Sequence, residues 1–155
     1  MSVTHGTFTL ERTYPVSPER VFSAWSDPKQ IEIWAAPSDG WVFENETFDF
    51  TIGGTDLSRF GPKGEEPFVS LARFDDIVPN SRIVTAYSIA KGTTRISSSV
   101  TTVELIPDER GTVLRLTEQG AYFDGHDNPQ TRRGGVLYQL DQLEAYFAPE
   151  VADAK

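Results

Sequence analysis

Cysteine is missing from the 155-residue chain, methionine occurs once, and histidine occurs only twice, as His5 and His126. Without cysteine there is no disulfide framework and no thiolate nucleophile. With two histidines, a zinc site would have to recruit carboxylates from scattered strands, so no metal is expected. Basic residues are few: 14 against 23 acidic ones, a net charge of −9. That balance repels phosphate backbones and anionic membrane surfaces, and it argues against nucleic acid or a membrane as partner. No apolar run approaches the roughly eighteen residues that span a bilayer. Met1–Leu10 lacks the basic and apolar regions of a signal peptide, which together with the missing cysteine points to a cytoplasmic location. The length suits one core, and residues 1–155 are expected to form a single domain.

Several motifs of chemistry are also missing. No Gly-x-Ser-x-Gly turn presents a serine nucleophile, and Gly53-Gly54 joins strand to strand, without the helix N-terminus of a phosphate cradle. The run Asp124-Gly125-His126-Asp127-Asn128 has the polar density of a calcium loop. Its glycine is misplaced, however, and Gly135 stands where a bidentate glutamate belongs, so the run reads as a loop and helix cap. No cofactor is expected.

What is present is clear periodicity and many aromatics: ten phenylalanines, five tyrosines and three tryptophans. Within Gln130–Phe147, Val136, Leu140, Leu143 and Phe147 fall at i, i+4, i+7 and i+11, while Asp141, Gln142 and Glu144 lie off that stripe. Burying one such side chain is worth about 1.5–3 kcal/mol. Four of them rival the roughly 5–15 kcal/mol stability of a domain, so the pattern predicts a long structural helix closing a sheet.

Upstream, Thr7–Tyr14 alternates as a strand and stops at Pro15. Ser17-Pro18-Glu19 supplies an N-cap, a proline at the first helical position and an early acid ahead of Val21, Phe22 and Trp25. Ser26-Asp27-Pro28 starts a second short helix holding Ile31 and Trp34 and stopped by Pro37. The two tryptophans read as packing of the helix pair. From Trp41 the alternation returns: Phe48, Phe50 and Ile52 oppose Thr47, Asp49 and Thr51, predicting a strand that runs to Gly53-Gly54. Thr55–Phe60, Phe68–Ile77, Ile83–Ile89, Ser97–Ile106 and Thr112–Gly120 follow as strands, separated by Gly- and Pro-rich turns. Asp153–Lys155 is expected to fray. The order strand, two short helices, further strands, long helix implies an α+β fold, with a curved antiparallel sheet of about six to seven strands wrapped around the C-terminal helix. The hollow between sheet and helix is the natural ligand site.

A family likeness runs through these elements. Val21-Phe22-Ser23-Ala24-Trp25-Ser26-Asp27-Pro28 followed by Ile31 and Trp34 resembles the helix pair of START-like, or SRPBCC, proteins, in the branch related to the activator of the heat-shock chaperone ATPase. Phe48-Asp49-Phe50 before Gly53-Gly54 is similar to the same branch. So are Asp76-Ile77 with Arg82-Ile83-Val84, and Gly111-Thr112 leading Leu114 and Leu116. The resemblance covers residues 7–147 and implies a helix-grip fold with an internal, largely apolar cavity. Two positions depart from it: Asp56 replaces an aromatic, and Gly135-Val136 replaces a Gly-Trp pair. An inward aspartate would make one wall polar, and the lost tryptophan would reshape the space under the helix.

Alternation and this register place Ser99, Thr101, Glu118 and Asp56 toward the cavity. Glu118 shares a face with Leu114 and Leu116; if buried, its pKa should rise, and it could donate a proton or bind a ligand, with Arg73 as a conceivable partner; the other readings are a solvent-accessible edge position for Glu118 and a solvated outer-face position for Arg73. Phe48, Phe50, Phe60, Phe68, Phe74, Tyr87 and Tyr122 could line a pocket for a flat apolar molecule. Leu140 of the helical stripe and Tyr138 beside it complete the candidate ligand-binding set. The leading expectation is a module that binds a small hydrophobic molecule as a monomer or homodimer. Two alternatives remain open: a cyclase-like or hydrolytic enzyme using Glu118 or Asp56 on a polyketide-like substrate, and a chaperone-regulating partner domain.

Overall fold

The computed structural model describes residues 1–153. Strand β1 (Val3–Tyr14) leads into helices α1 (Pro18–Ser26) and α2 (Pro28–Trp34). Six strands follow: β2 (Trp41–Phe48), β3 (Thr55–Pro62), β4 (Phe68–Val78), β5 (Arg82–Lys91), β6 (Thr94–Asp108) and β7 (Gly111–Phe123). Helix α3 (Pro129–Asp153) ends the description. Of the tail expected to fray, Asp153 is the last residue of α3, and residues 154 and 155 lie outside the described residues. The seven strands form one antiparallel sheet in the order β1-β7-β6-β5-β4-β3-β2. It curves around α3 in the helix-grip arrangement.

Local chemistry sets the boundaries of the short helices. The Ser17 side chain accepts from the Arg20 N–H and the Asp27 side chain accepts from the Lys29 N–H; a proline follows each cap at the first helical position. Trp25 and Trp34 pack with ring centroids 4.8 Å apart, and Trp34 Nε1 donates to the Ala24 carbonyl. On α3 the stripe Val136, Leu140, Leu143 and Phe147 is buried as the periodicity requires. It meets Leu10, Leu114, Leu116, Val103 and Leu105 from the concave face of β1, β7 and β6. The Tyr14 hydroxyl donates to the Leu140 carbonyl at 2.9 Å, and Gln139 Nε2 donates to the Ala35 carbonyl at 2.6 Å. The helix is therefore fixed to β1 on one side and to the end of α2 on the other.

The second strand is shorter than its alternation predicts. It stops at Phe48, and residues 49–54 form a turn. Thr51 Oγ1 donates to Asp49 Oδ1, Gly54 N–H donates to the Thr51 carbonyl, and Gly53 N–H reaches the Phe74 carbonyl. Gly53 has φ of +85°, a left-handed geometry that suits glycine, and a side chain on Gly54 would collide with the Asp49 carbonyl. Local side-chain bonding thus captures the backbone, and Ile52 is left exposed. Within β2 the strand bends at a bulge between Asn45 and Thr47. Because of that extra residue, Trp41, Phe43 and Asn45 face inward and so does Phe48.

Candidate functional site

Helix α3 covers the β1 and β7 side of the concave face and leaves the β2–β5 side open beneath its N-terminal half. The result is a cavity of about 680 Å³, bounded by the sheet, by α2 with the segment after it, and by residues 131–139 of α3. A volume of that order holds a drug-sized molecule.

One wall is a ladder of rings from the inner faces of β2, β3 and β4. Phe43 and Phe60 stack at 6.0 Å, Phe60 and Phe68 at 5.6 Å, and Phe68 and Trp41 at 5.6 Å, all within 22° of parallel. Phe48 and Phe74 meet edge to face at 5.6 Å deeper inside. Such a wall offers broad apolar ring faces.

The opposite end is polar and buried. Glu118 on β7 is 2% exposed and Arg132 on the first turn of α3 is 9% exposed. Glu118 Oε1 accepts from the Tyr87 hydroxyl at 2.8 Å and from Thr101 Oγ1 at 3.0 Å, while Arg132 Nη1 lies 3.5 Å from Oε2. The same guanidinium donates to the Tyr87 oxygen at 2.7 Å, to Ser97 Oγ at 2.7 Å and to Asp127 Oδ2 at 2.8 Å. It also lies over the Tyr87 and Tyr122 rings, 5.6 and 5.3 Å from their centroids. Burial pushes the Glu118 carboxyl up, and Arg132 and the two hydroxyls oppose that shift without cancelling it. Burial also lifts the Tyr122 phenol to about 12. Desolvation disfavours the charge on Arg132, but Tyr87, Glu118 and Asp127 outweigh it and hold the pKa above its ordinary value.

A second polar station lies on β3. Asp56 lines the cavity between Phe48 of β2 and Ala72 of β4, and its Oδ1 accepts from Asn45 Nδ2 at 2.8 Å. Burial raises its carboxyl from 3.8 to about 6, against the pull of that hydrogen bond.

Of the residues singled out from sequence, Phe48, Phe60, Phe68 and Phe74 line the cavity, as do Asp56, Tyr87, Thr101, Glu118 and Tyr138. Four do not. Phe50 lies in the turn after β2 and packs against Phe22, Phe48 and Phe74. Leu140 is wholly buried in the α3 stripe. Ser99 and Tyr122 sit where Gly120 has no side chain, and a Cβ there would collide with both hydroxyls. Arg73 is not the partner of Glu118: it is exposed and pairs with Asp75 at 2.6 Å. The partner is Arg132, four residues before Val136 on the buried stripe. An arginine at that phase of an apolar stripe is the signal that marks it. The loop before α3 behaves as a cap, with Asn128 Oδ1 accepting from the Thr131 N–H at 2.8 Å.

The family model for the Activator of Hsp90 ATPase homolog 1-like protein matches residues 15–148. The chain belongs to this family. Among solved structures, a crystal structure from Rhizobium loti is 47% identical, covering 94% of this chain and 99% of that one, with a TM-score of 0.83. A structure from Rhizobium leguminosarum is 34% identical over 96% of this chain and 97% of that one, with a TM-score of 0.85. The solution structure of an AHSA1-like protein from Aeromonas hydrophila shares the fold at 22% identity, covering 97% of this chain and 96% of that one, with a TM-score of 0.72. A comparison with curated proteins finds no match. This AHSA1-like chain has an α+β helix-grip fold, consistent with the SRPBCC superfamily. No helix among its described residues is long and apolar enough to cross a membrane.

Proposed function

We propose that this protein binds a small hydrophobic or aromatic molecule in the cavity between the sheet and α3. The observation that carries the reading is a hollow of about 680 Å³ with an aromatic ladder on one side and polar side chains at defined stations. A hollow of that size holds either water or a ligand, and an apolar molecule that displaces loosely held water from ring faces gains affinity.

Glu118 serves this function as an anchor. Its Oε1 takes hydroxyl donors from β5 and β6 and its Oε2 faces the Arg132 guanidinium, which ties the first turn of α3 to the sheet beside the cavity. A group held in this way keeps its geometry when a ligand enters, and it is a poor free proton carrier.

The test is native mass spectrometry of the purified protein, together with thermal unfolding across a panel of fatty acids and polyketide-like aromatics. A co-purifying small molecule, or a shift in Tm for panel members, supports the reading. Neither signal in either assay would overturn it. Ala72→Phe, which fills the cavity floor, should remove the ligand-induced shift.

A further inference from the structure

The two polar stations of the cavity differ in charge balance. At the α3 end, Arg132 is shared by Glu118 and Asp127. Asp56 has no such partner: no arginine, lysine or histidine among the described residues forms an ion pair with it. Its one protein donor is the Asn45 amide, and Asn45 Oδ1 is itself buried without a hydrogen-bond partner. The Asn45–Asp56 pair is therefore short of donors. The lining as a whole carries three carboxylates, Asp56, Glu118 and Asp127, against the single guanidinium of Arg132. A desolvated carboxylate without a counter-charge is costly, and a bound cation removes that cost.

The surroundings restrict the shape of such a cation. Across from Asp56 on β4, Ala72 is short, so the carboxylate borders open cavity. Phe60, four residues along β3, belongs to the ring ladder with Phe43, Phe68 and Trp41. Ring faces attract both hydrocarbon and ammonium groups. Resting on the reading of the cavity as a ligand site, we propose that its ligand is an apolar amine, with its ammonium donating to Asp56 and its hydrophobic body lying against the ladder of Phe43, Phe60 and Trp41.

The experiment uses three probes of one shape at pH 8: 1-naphthylmethylamine, 1-naphthylmethanol and 1-naphthoic acid, titrated calorimetrically into the wild type and Asp56→Asn. The wild type should bind the amine at least about tenfold more tightly than the alcohol, and the acid most weakly. Asp56→Asn should erase the preference for the amine over the alcohol. Equal binding of amine and alcohol by the wild type, or tighter binding of the acid, overturns the inference and leaves the ligand-site reading standing. An amine preference that survives Asp56→Asn also overturns it. Failure of all three probes to bind counts against both readings. Should Asp56→Asn fold poorly, Asp56→Ser takes its place in the same comparison, because only a variant at Asp56 assigns the preference to this carboxylate.

Discussion

Arg132 and Glu118 meet at 3.5 Å in the interior, one from the first turn of α3 and the other from the middle of β7. Each is nearly inaccessible to water. Breaking such a pair from one side strands a buried charge, a loss of about 3–5 kcal/mol. Arg132→Met should therefore lower stability by an amount of that order in urea unfolding. Arg132→Met with Glu118→Gln should recover part of it, because the second change removes the stranded charge. A double variant as unstable as the sum of its parts would show that the two residues act independently.

Asp56 sets a pH dependence. Its folded-state pKa of about 6 lies above the ordinary 3.8, so between those values the folded protein holds more protons than the unfolded chain. Stability from this group then falls as pH rises through that window and stays lower above it. Asp56→Asn should flatten this part of the curve and be more stable than the wild type at pH 8, by about 1–2 kcal/mol once solvent access to the partly exposed side chain is allowed for. Glu118 is shifted in the same direction in both proteins, so the difference between the two curves isolates Asp56. Chemical denaturation at pH 4.5 and pH 8 measures it.

Gly134 is on α3, and a Cβ built on it meets nothing within 4 Å. Gly134→Ala should raise stability by about 0.5–1 kcal/mol by restricting the unfolded chain, with no change in fold. Gly6→Ala should do the reverse, since its Cβ would overlap the ring of Pro129 at the start of the helix. Thermal unfolding of the two variants side by side separates these effects.

Tyr14 is fully buried and its hydroxyl donates to the Leu140 carbonyl at 2.9 Å. Tyr14→Phe keeps the ring packed edge to face on Phe147 at 5.5 Å and deletes only the hydrogen bond. The expected loss is about 1 kcal/mol in denaturant unfolding.

The sheet and α3 were legible in the sequence because burial repeats along them. Inward positions recur every second residue in Thr112–Gly120, and Val136, Leu140, Leu143 and Phe147 share one helical face. The same rule misled at Phe50 and Ile52, where alternation continues through a turn held by Asp49, Thr51 and Gly53. Periodicity registers which residues are apolar and is blind to a side chain capturing the backbone locally. Glu118 and Asp56 could be placed on inward faces, whereas Arg132 could not be matched to Glu118. Its pairing joins positions 14 residues apart on different elements, and Tyr87 and Ser97 enter from still farther along the chain. Arg73, a conceivable partner on sequence alone, takes the other position read for it, the solvated outer face of β4, where it pairs with exposed Asp75.

The bulge in β2 fixes which way the edge of the aromatic wall looks. Trp41, Phe43 and Asn45 occupy odd positions and Phe48 an even one, yet all point to the hollow, because Glu46 is an additional step between the two sets. Taking Glu46 into the ladder, with no bulge, would restore unbroken pairing while putting the two sets on opposite faces. Either Phe48 or the trio Trp41, Phe43 and Asn45 would then turn toward solvent. A single frame-shifting residue on the outermost strand thus decides whether the chamber keeps its oily flank and whether Asp56 keeps its amide neighbour.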